Sequence, residues 1–128
     1  MTNSSYTMQS NTTRKPFKKS LSSIPVEHAH GGSGNRQLIL STTDAVSRQF
    51  EAMTKGFLQP CAVFDWHHHE GVDEFFVVLA GEGVIKYADG TTFGYAEGDI
   101  IYNPSGLSHR IKNTGTEENQ FFFVRIKD

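Results

Sequence analysis

From residue 50 onward, apolar and polar positions along this chain alternate with a period of two, broken at short intervals by glycine and proline. In "EFFVVLA" (residues 74–80), Glu74, Phe76 and Val78 fall on one side and Phe75, Val77 and Leu79 on the other. That period belongs to a β-strand, whose successive side chains point to opposite faces. The same reading applies to "FEAMTKGFL", "AVFDWHHH", "GVIKYA", "TTFGYA", "DIIYN", "SHRIKN" and "QFFFVRI". Asp89-Gly90 is a strong hairpin signal, and Gly81, Gly98 and the Pro104-Ser105-Gly106 turn separate the other segments. Upstream, Arg36 to Leu40 reads as one more strand, and "STTDAV" could open a short helical turn. Many short strands at regular spacing imply an all-β sandwich or barrel. The segments "EFFVVLA" and "QFFFVRI" are apolar on both faces, so both faces need cover, from the N-terminal strand or from a second subunit. That predicts a homodimer, with the segment around residues 24–40 crossing between protomers.

Residues 1–20 are rich in Ser, Thr and Asn with few apolar anchors, and read as a disordered tail. Its basic cluster, Arg14, Lys15, Lys18 and Lys19, reads as solvated. Residues 21–128 then form one domain, which suits a chain of 128 residues. Twelve Lys plus Arg against fourteen Asp plus Glu leave none of the basic excess that nucleic-acid binding requires. Cys61 is the only cysteine, so the fold does not call for an oxidising compartment. No apolar run approaches membrane-spanning length, and the N-terminus lacks the apolar centre of a signal peptide. A cytoplasmic protein is the default expectation.

The stretch "WHHHEGVDEFF" carries the candidate chemistry. On a regular strand His67 and His69 share a face, with Cα atoms roughly 6.7 Å apart, while His68 points away. Imidazole nitrogens from that pair can converge on one ion at about 2.0–2.2 Å each. After the turn at Gly71, Glu74 opens the next strand and can add a carboxylate oxygen from a hairpin position beside them. His109 supplies a fourth donor. On its strand it alternates with Arg110 and Lys112, which look solvated, so the histidine faces inward.

Two runs of residues resemble the paired motifs of the cupin family. His67-x-His69-x4-Glu74-x6-Gly81 is similar to the first, and Gly98-x5-Pro104-x-Gly106-x2-His109-x3-Asn113 to the second. The resemblance covers the chain from about Phe50 to its end. It extends, more weakly, to small single-domain cupins of oxalate-decarboxylase-like or sugar-isomerase-like type. One position departs: Cys61 stands where the first motif usually begins with glycine, so the turn there is expected to differ. The resemblance implies a small jelly-roll β-barrel (a double-stranded β-helix) of two packed sheets, with His67, His69, Glu74 and His109 as metal ligands. The cofactor would be a divalent transition metal: Mn, Fe, Ni, Co, Cu or Zn. Three imidazoles and a carboxylate suit several of these ions. In an octahedral site two positions stay open for water or substrate, as a catalytic metal needs.

Around such a site, Asp65 lies two residues before His67 and shares the ligand face if the strand is regular. It is a candidate general acid or base, or an acceptor for an imidazole N–H. Tyr102 precedes the Pro104 turn and could point into the barrel mouth as a second proton carrier. Cys61 reads as a buried turn residue, and His28-x-His30 as a loop or subunit contact without a carboxylate to complete a second metal site. The residues thus point to a metal-dependent enzyme for a small oxygen-rich substrate, by decarboxylase, isomerase or epimerase, lyase or dioxygenase chemistry. The alternative is a metal-containing module that only binds a small ligand. The difference lies in what converges on the open metal positions: a titratable group in the first case, apolar walls and neutral donors in the second.

Overall fold

The computed structural model describes residues 14–29, 34–44 and 46–128. Their secondary structure is a short 3₁₀ turn, Leu21–Ser23, and ten strands. These are β1 (Glu27–His28), β2 (Asn35–Leu40), β3 (Phe50–Leu58), β4 (Val63–His67), β5 (Val72–Ala80), β6 (Gly83–Tyr87), β7 (Thr92–Tyr95), β8 (Ile100–Asn103), β9 (His109–Asn113) and β10 (Asn119–Lys127). The chain is all-β, as its alternation requires. "STTDAV" forms a turn at residues 41–44, where the Ser41 amide donates to the Asp44 carboxylate at 2.8 Å, and Ala45 lies outside the described residues. The tail reading falls outside them for residues 1–13. Within residues 14–20, Lys19 is not merely solvated, because its ammonium reaches Asp44 at 2.9 Å and donates to the Ile39 carbonyl at 2.8 Å.

Two sheets pack face to face. One has six strands in the order β1-β2-β3-β10-β5-β8, the other four in the order β4-β9-β6-β7. All the paired neighbours run antiparallel. The core between them is aromatic: Phe64, Phe76, Tyr95, Phe121 and Phe123, filled out by Leu58, Val78, Ile85 and Ile111. Phe76 meets Phe121 edge to face at 5.6 Å, and Phe64 meets Phe123 likewise at 6.0 Å, the arrangement that ring quadrupoles favour.

The segment before β3 covers its own subunit. Here β2 pairs with β3 of the same chain, Asn35 opposite Phe57 through Leu40 opposite Met53. Gln37 pins the stretch ahead of it by donating from Nε2 to the Leu21 and Ile24 carbonyls at 3.0 and 2.9 Å. The expected crossing of residues 24–40 to a second protomer is therefore replaced by an added edge on the larger sheet. His28 is exposed on β1, and His30 lies outside the described residues.

Cys61 is exposed and not buried. Its φ of 69° is the one positive value outside glycine among the described residues. It follows Pro60, and the Ala62 amide closes the turn onto the Gln59 carbonyl at 3.0 Å. This is the turn type that asks for glycine at its third position. The turn keeps its shape and the cysteine carries the strain. Replacing it, Cys61→Gly, should relieve about 1–2 kcal/mol of left-handed strain, less the extra freedom glycine brings to the unfolded chain, for a net gain of about 1 kcal/mol. A raised urea midpoint under reducing conditions is the expected result, and an unchanged one would mean the turn stores no strain.

Candidate metal centre

His67 ends β4, and its Cα partner across the smaller sheet is His109 of β9. Their rings lie 4.4 Å apart, centroid to centroid. His69 is no longer on the strand, which stops at His67. It reaches the same place from the loop, its ring 5.4 Å from that of His67. Glu74 arrives from the opposite side. Strands β4 and β5 are not hairpin partners, as the sequence suggested, because residues 68–71 carry the chain from one sheet to the other. The Glu74 carboxylate therefore faces the imidazoles across the barrel, with Oε2 3.5 Å from His69 Nε2 and Oε1 3.6 Å from His109 Nε2.

One ligand atom each from His67, His69 and Glu74 lie within 4.8 Å of one another. Donors at about 2.0–2.2 Å from a shared ion stand at most about 4.4 Å apart, so a small closure of these side chains suffices, and the cluster could hold a metal ion. His109, only 1% exposed, completes the wall behind them. The electrostatics fit that use. Burial, with the nearby His67 ring adding to it, pushes the His109 imidazole down to about 4, and burial lowers His67 as well. Both rings are thus neutral near pH 7, the form that binds a metal. Burial alone would raise Glu74, but hydrogen bonding and attraction from His69, with Asn103 and His109, hold it below the usual carboxylate range.

The two candidate proton carriers lie elsewhere. Between Phe64 and His67 the pairing of β4 with β9 shifts register. Phe64 and His67, three apart, both face inward, and Asp65 is turned out. Its carboxylate is exposed, 3.4 Å from Arg110 Nε. Tyr102 alternates with the buried Ile101 and Asn103, which places it on the outer face of the larger sheet. There it stacks on Phe75 at 5.1 Å and donates to Asp73 at 3.0 Å. Trp66 and His68 face away from the cluster, as their parity implied, but both are exposed, where the expectation was packing against another element.

Comparison with known proteins agrees with the architecture and the motifs. Residues 57–125 match the model of the cupin domain. The chain belongs to the cupin family. An oxalate-binding protein of Thermotoga maritima is 30% identical to this cupin over 102 residues, 79% of this chain and 84% of the relative. A crystal structure from the same organism, described as a predicted oxalate decarboxylase, superposes with a TM-score of 0.78 at 28% identity, covering 88% of this chain and all of that one. The cupin domain of Schizosaccharomyces pombe Cnp3 shares the fold, with a TM-score of 0.72 at 18% identity over 87% of this chain and 74% of that one.

Three residues of this cupin's site escaped the sequence reading. Asn103, buried, donates from Nδ2 to Glu74 Oε1 at 3.0 Å and accepts from the Tyr87 hydroxyl, so it fixes the carboxylate's orientation. Arg125 is the Cα partner of Glu74 across β5 and β10, and its Nη1 lies 3.9 Å from Glu74 Oε2. Arg36 of β2 lines the same narrow cavity as His67, Glu74 and Arg125. The signal was parity. Arg125 is in phase with the inward Phe121 and Phe123, and Asn103 with Ile101, so each is a polar residue written into a core position.

Proposed function

We propose that this cupin is a metal-dependent enzyme for a small oxygen-rich acid, with His67, His69, Glu74 and His109 as the ligands of a divalent transition metal. The observation that carries the reading is the buried Glu74 carboxylate facing two imidazole nitrogens within 3.6 Å, in a cavity that continues past the cluster. When bound, the ion supplies Lewis-acid polarisation of a carboxylate or carbonyl oxygen. The chain itself holds the ligands in place through Asn103, excludes water with Phe64, Ile111 and Phe123, and sets the charge of the cavity. Likeness to an oxalate-binding protein and to a predicted oxalate decarboxylase supports a small carboxylate as the ligand.

The lining favours some reactions over others. Isomerisation and epimerisation need a base and an acid placed on substrate carbon. Asp65 and Tyr102 are outside the barrel, and the other acid–base groups lining the cavity among the described residues, His67 and Glu74, belong to the ligand set. Decarboxylation, in which CO2 leaves, the electron pair of the broken C–C bond passes into the polarised carbonyl and water then supplies the proton to carbon, would need no further acid–base side chain and is the reaction class we favour. The same observation favours a second reading, in which the site binds its acid without turning it over.

Elemental analysis of protein purified without chelator, joined to a screen of small carboxylic acids, β-diketones and phosphorylated sugars, tests the proposal. Turnover of an acid that disappears on metal removal and returns with one specific ion is the expected result. Full metal occupancy with no turnover anywhere in the panel would select the binding module. The outer face of the larger sheet, with exposed Phe75 and Tyr102, supports a homodimer, which light scattering at micromolar concentration would detect.

A further inference from the structure

Two guanidinium groups line the cavity beside the cluster, against a single carboxylate, Glu74, which already faces the imidazoles. Arg125 comes from β10 and Arg36 from β2, two strands away in the larger sheet. Between them on β3 lie Thr54, buried, and Gly56. A Cβ on Gly56 would come within 2.7 Å of the Phe123 ring, so glycine at this position lets that aromatic wall pack against β3. The opposite walls are Phe64 and Ile111.

Each arginine is held from behind. Arg36 donates from Nε to Glu27 Oε2 at 3.0 Å, and its Nη2 lies 3.0 Å from the same oxygen. That edge of the fork is occupied, and among the described residues the Nη1 donors meet no partner. Arg125 donates from Nε to Glu51 Oε1 at 2.6 Å, with Nη1 toward Glu74. Neither Glu27 nor Glu51 lines the cavity. The acids hold the guanidiniums from outside, and both arginine side chains line the cavity. A planar, permanently charged fork matches a carboxylate. The flat aromatic and aliphatic walls suit that planar group better than a tetrahedral phosphate.

We propose that Arg36 and Arg125, with Thr54 between them, form a subsite for the second carboxylate of a short dicarboxylic acid whose first carboxylate lies at the histidine–glutamate cluster. The inference deepens the metal-centred reading above and rests on it for the first carboxylate. The arginines would then set chain length and charge, selecting diacids over monoacids of similar size.

Isothermal titration of the full chain, metal-loaded and chelator-treated, with oxalate, malonate, succinate, acetate and inorganic phosphate tests this. At least one diacid should bind about tenfold or more tighter than acetate, the scale of one charge-assisted hydrogen bond. Arg36→Gln should abolish that preference while metal content, read by elemental analysis, stays at the parent level. Arg125→Gln should do the same, but it also strips a charge from beside Glu74, so Arg36 is the deciding position. Equal binding of acetate and the diacids, a preference that survives Arg36→Gln, or phosphate binding tighter than any diacid would each overturn the subsite. Diacid preference without turnover would leave the subsite standing and remove only the enzymatic reading.

Discussion

Glu74→Gln should lose its metal while keeping its fold. The substitution preserves shape, and the new amide oxygen can still accept from Asn103 Nδ2 as Oε1 does now at 3.0 Å. What disappears is the negative charge that faces His69 and His109 at 3.5 and 3.6 Å, in a residue only 3% exposed. Altering a group that merely orients a ligand typically weakens metal affinity about 10–100-fold, so removing a charged ligand should cost at least about a hundredfold. Metal content after dialysis against a weak chelator, with far-ultraviolet circular dichroism as the fold control, reads the outcome. A variant that retains the parent's metal content would show that Glu74 is not a ligand, and the assignment of the cluster would fall with it.

How far the sequence could be read depended on whether strand parity held. Every strand from β2 to β10 was legible, because alternation and turn residues act over a few neighbouring positions. His109 was placed inward correctly for the same reason: Arg110 and Lys112 stand out of phase with it. Asp65 failed because alternation is a statement about an unbroken ladder, and the register shift before His67 reverses it over three residues. Tyr102 failed differently. Ile100 and Ile101 are both apolar, so the sequence did not show that Ile101 is the buried one, and the neighbouring turn suggested a mouth that lies on the other face. The relation of Glu74 to the histidines was right in outcome and wrong in route. Sequence proximity suggested a hairpin, whereas the two strands belong to opposite sheets and meet across the core. That topology is set by long-range pairing, β3 with β10 above all, which no local pattern encodes. Arg36, about ninety residues from its companion Arg125 in the sequence, was hidden for the same reason.

Acid should destabilise the metal-free protein well above the ordinary carboxylate range. His109 titrates near 4 in the folded chain and near 6.5 when unfolded, because burial penalises its charged form and His67 adds to the penalty. As pH falls from 6.5 toward 4, the unfolded chain takes up the proton first, so stability declines across that window and is fully present only above it. A shift of this size corresponds to about 3 kcal/mol from His109 alone. His67 is lowered by burial too and acts in the same direction. Glu74, held below its usual value, adds a further loss as pH drops through its folded pKa, beneath 4.5. None of the three offsets the others. Urea midpoints of chelator-treated protein should therefore be level above pH 7 and fall steadily from pH 6.5 to 4. The His109→Gln variant, which has no imidazole to protonate at that position, should show a shallower decline. The metal-loaded protein should start higher and fall more steeply, since protons then compete with the ion for the same donors. A flat profile for the chelated parent between pH 7 and 4 would mean that His109 accepts a proton in place, and that the cavity around it is wetter than its packing against His67 and Glu74 implies.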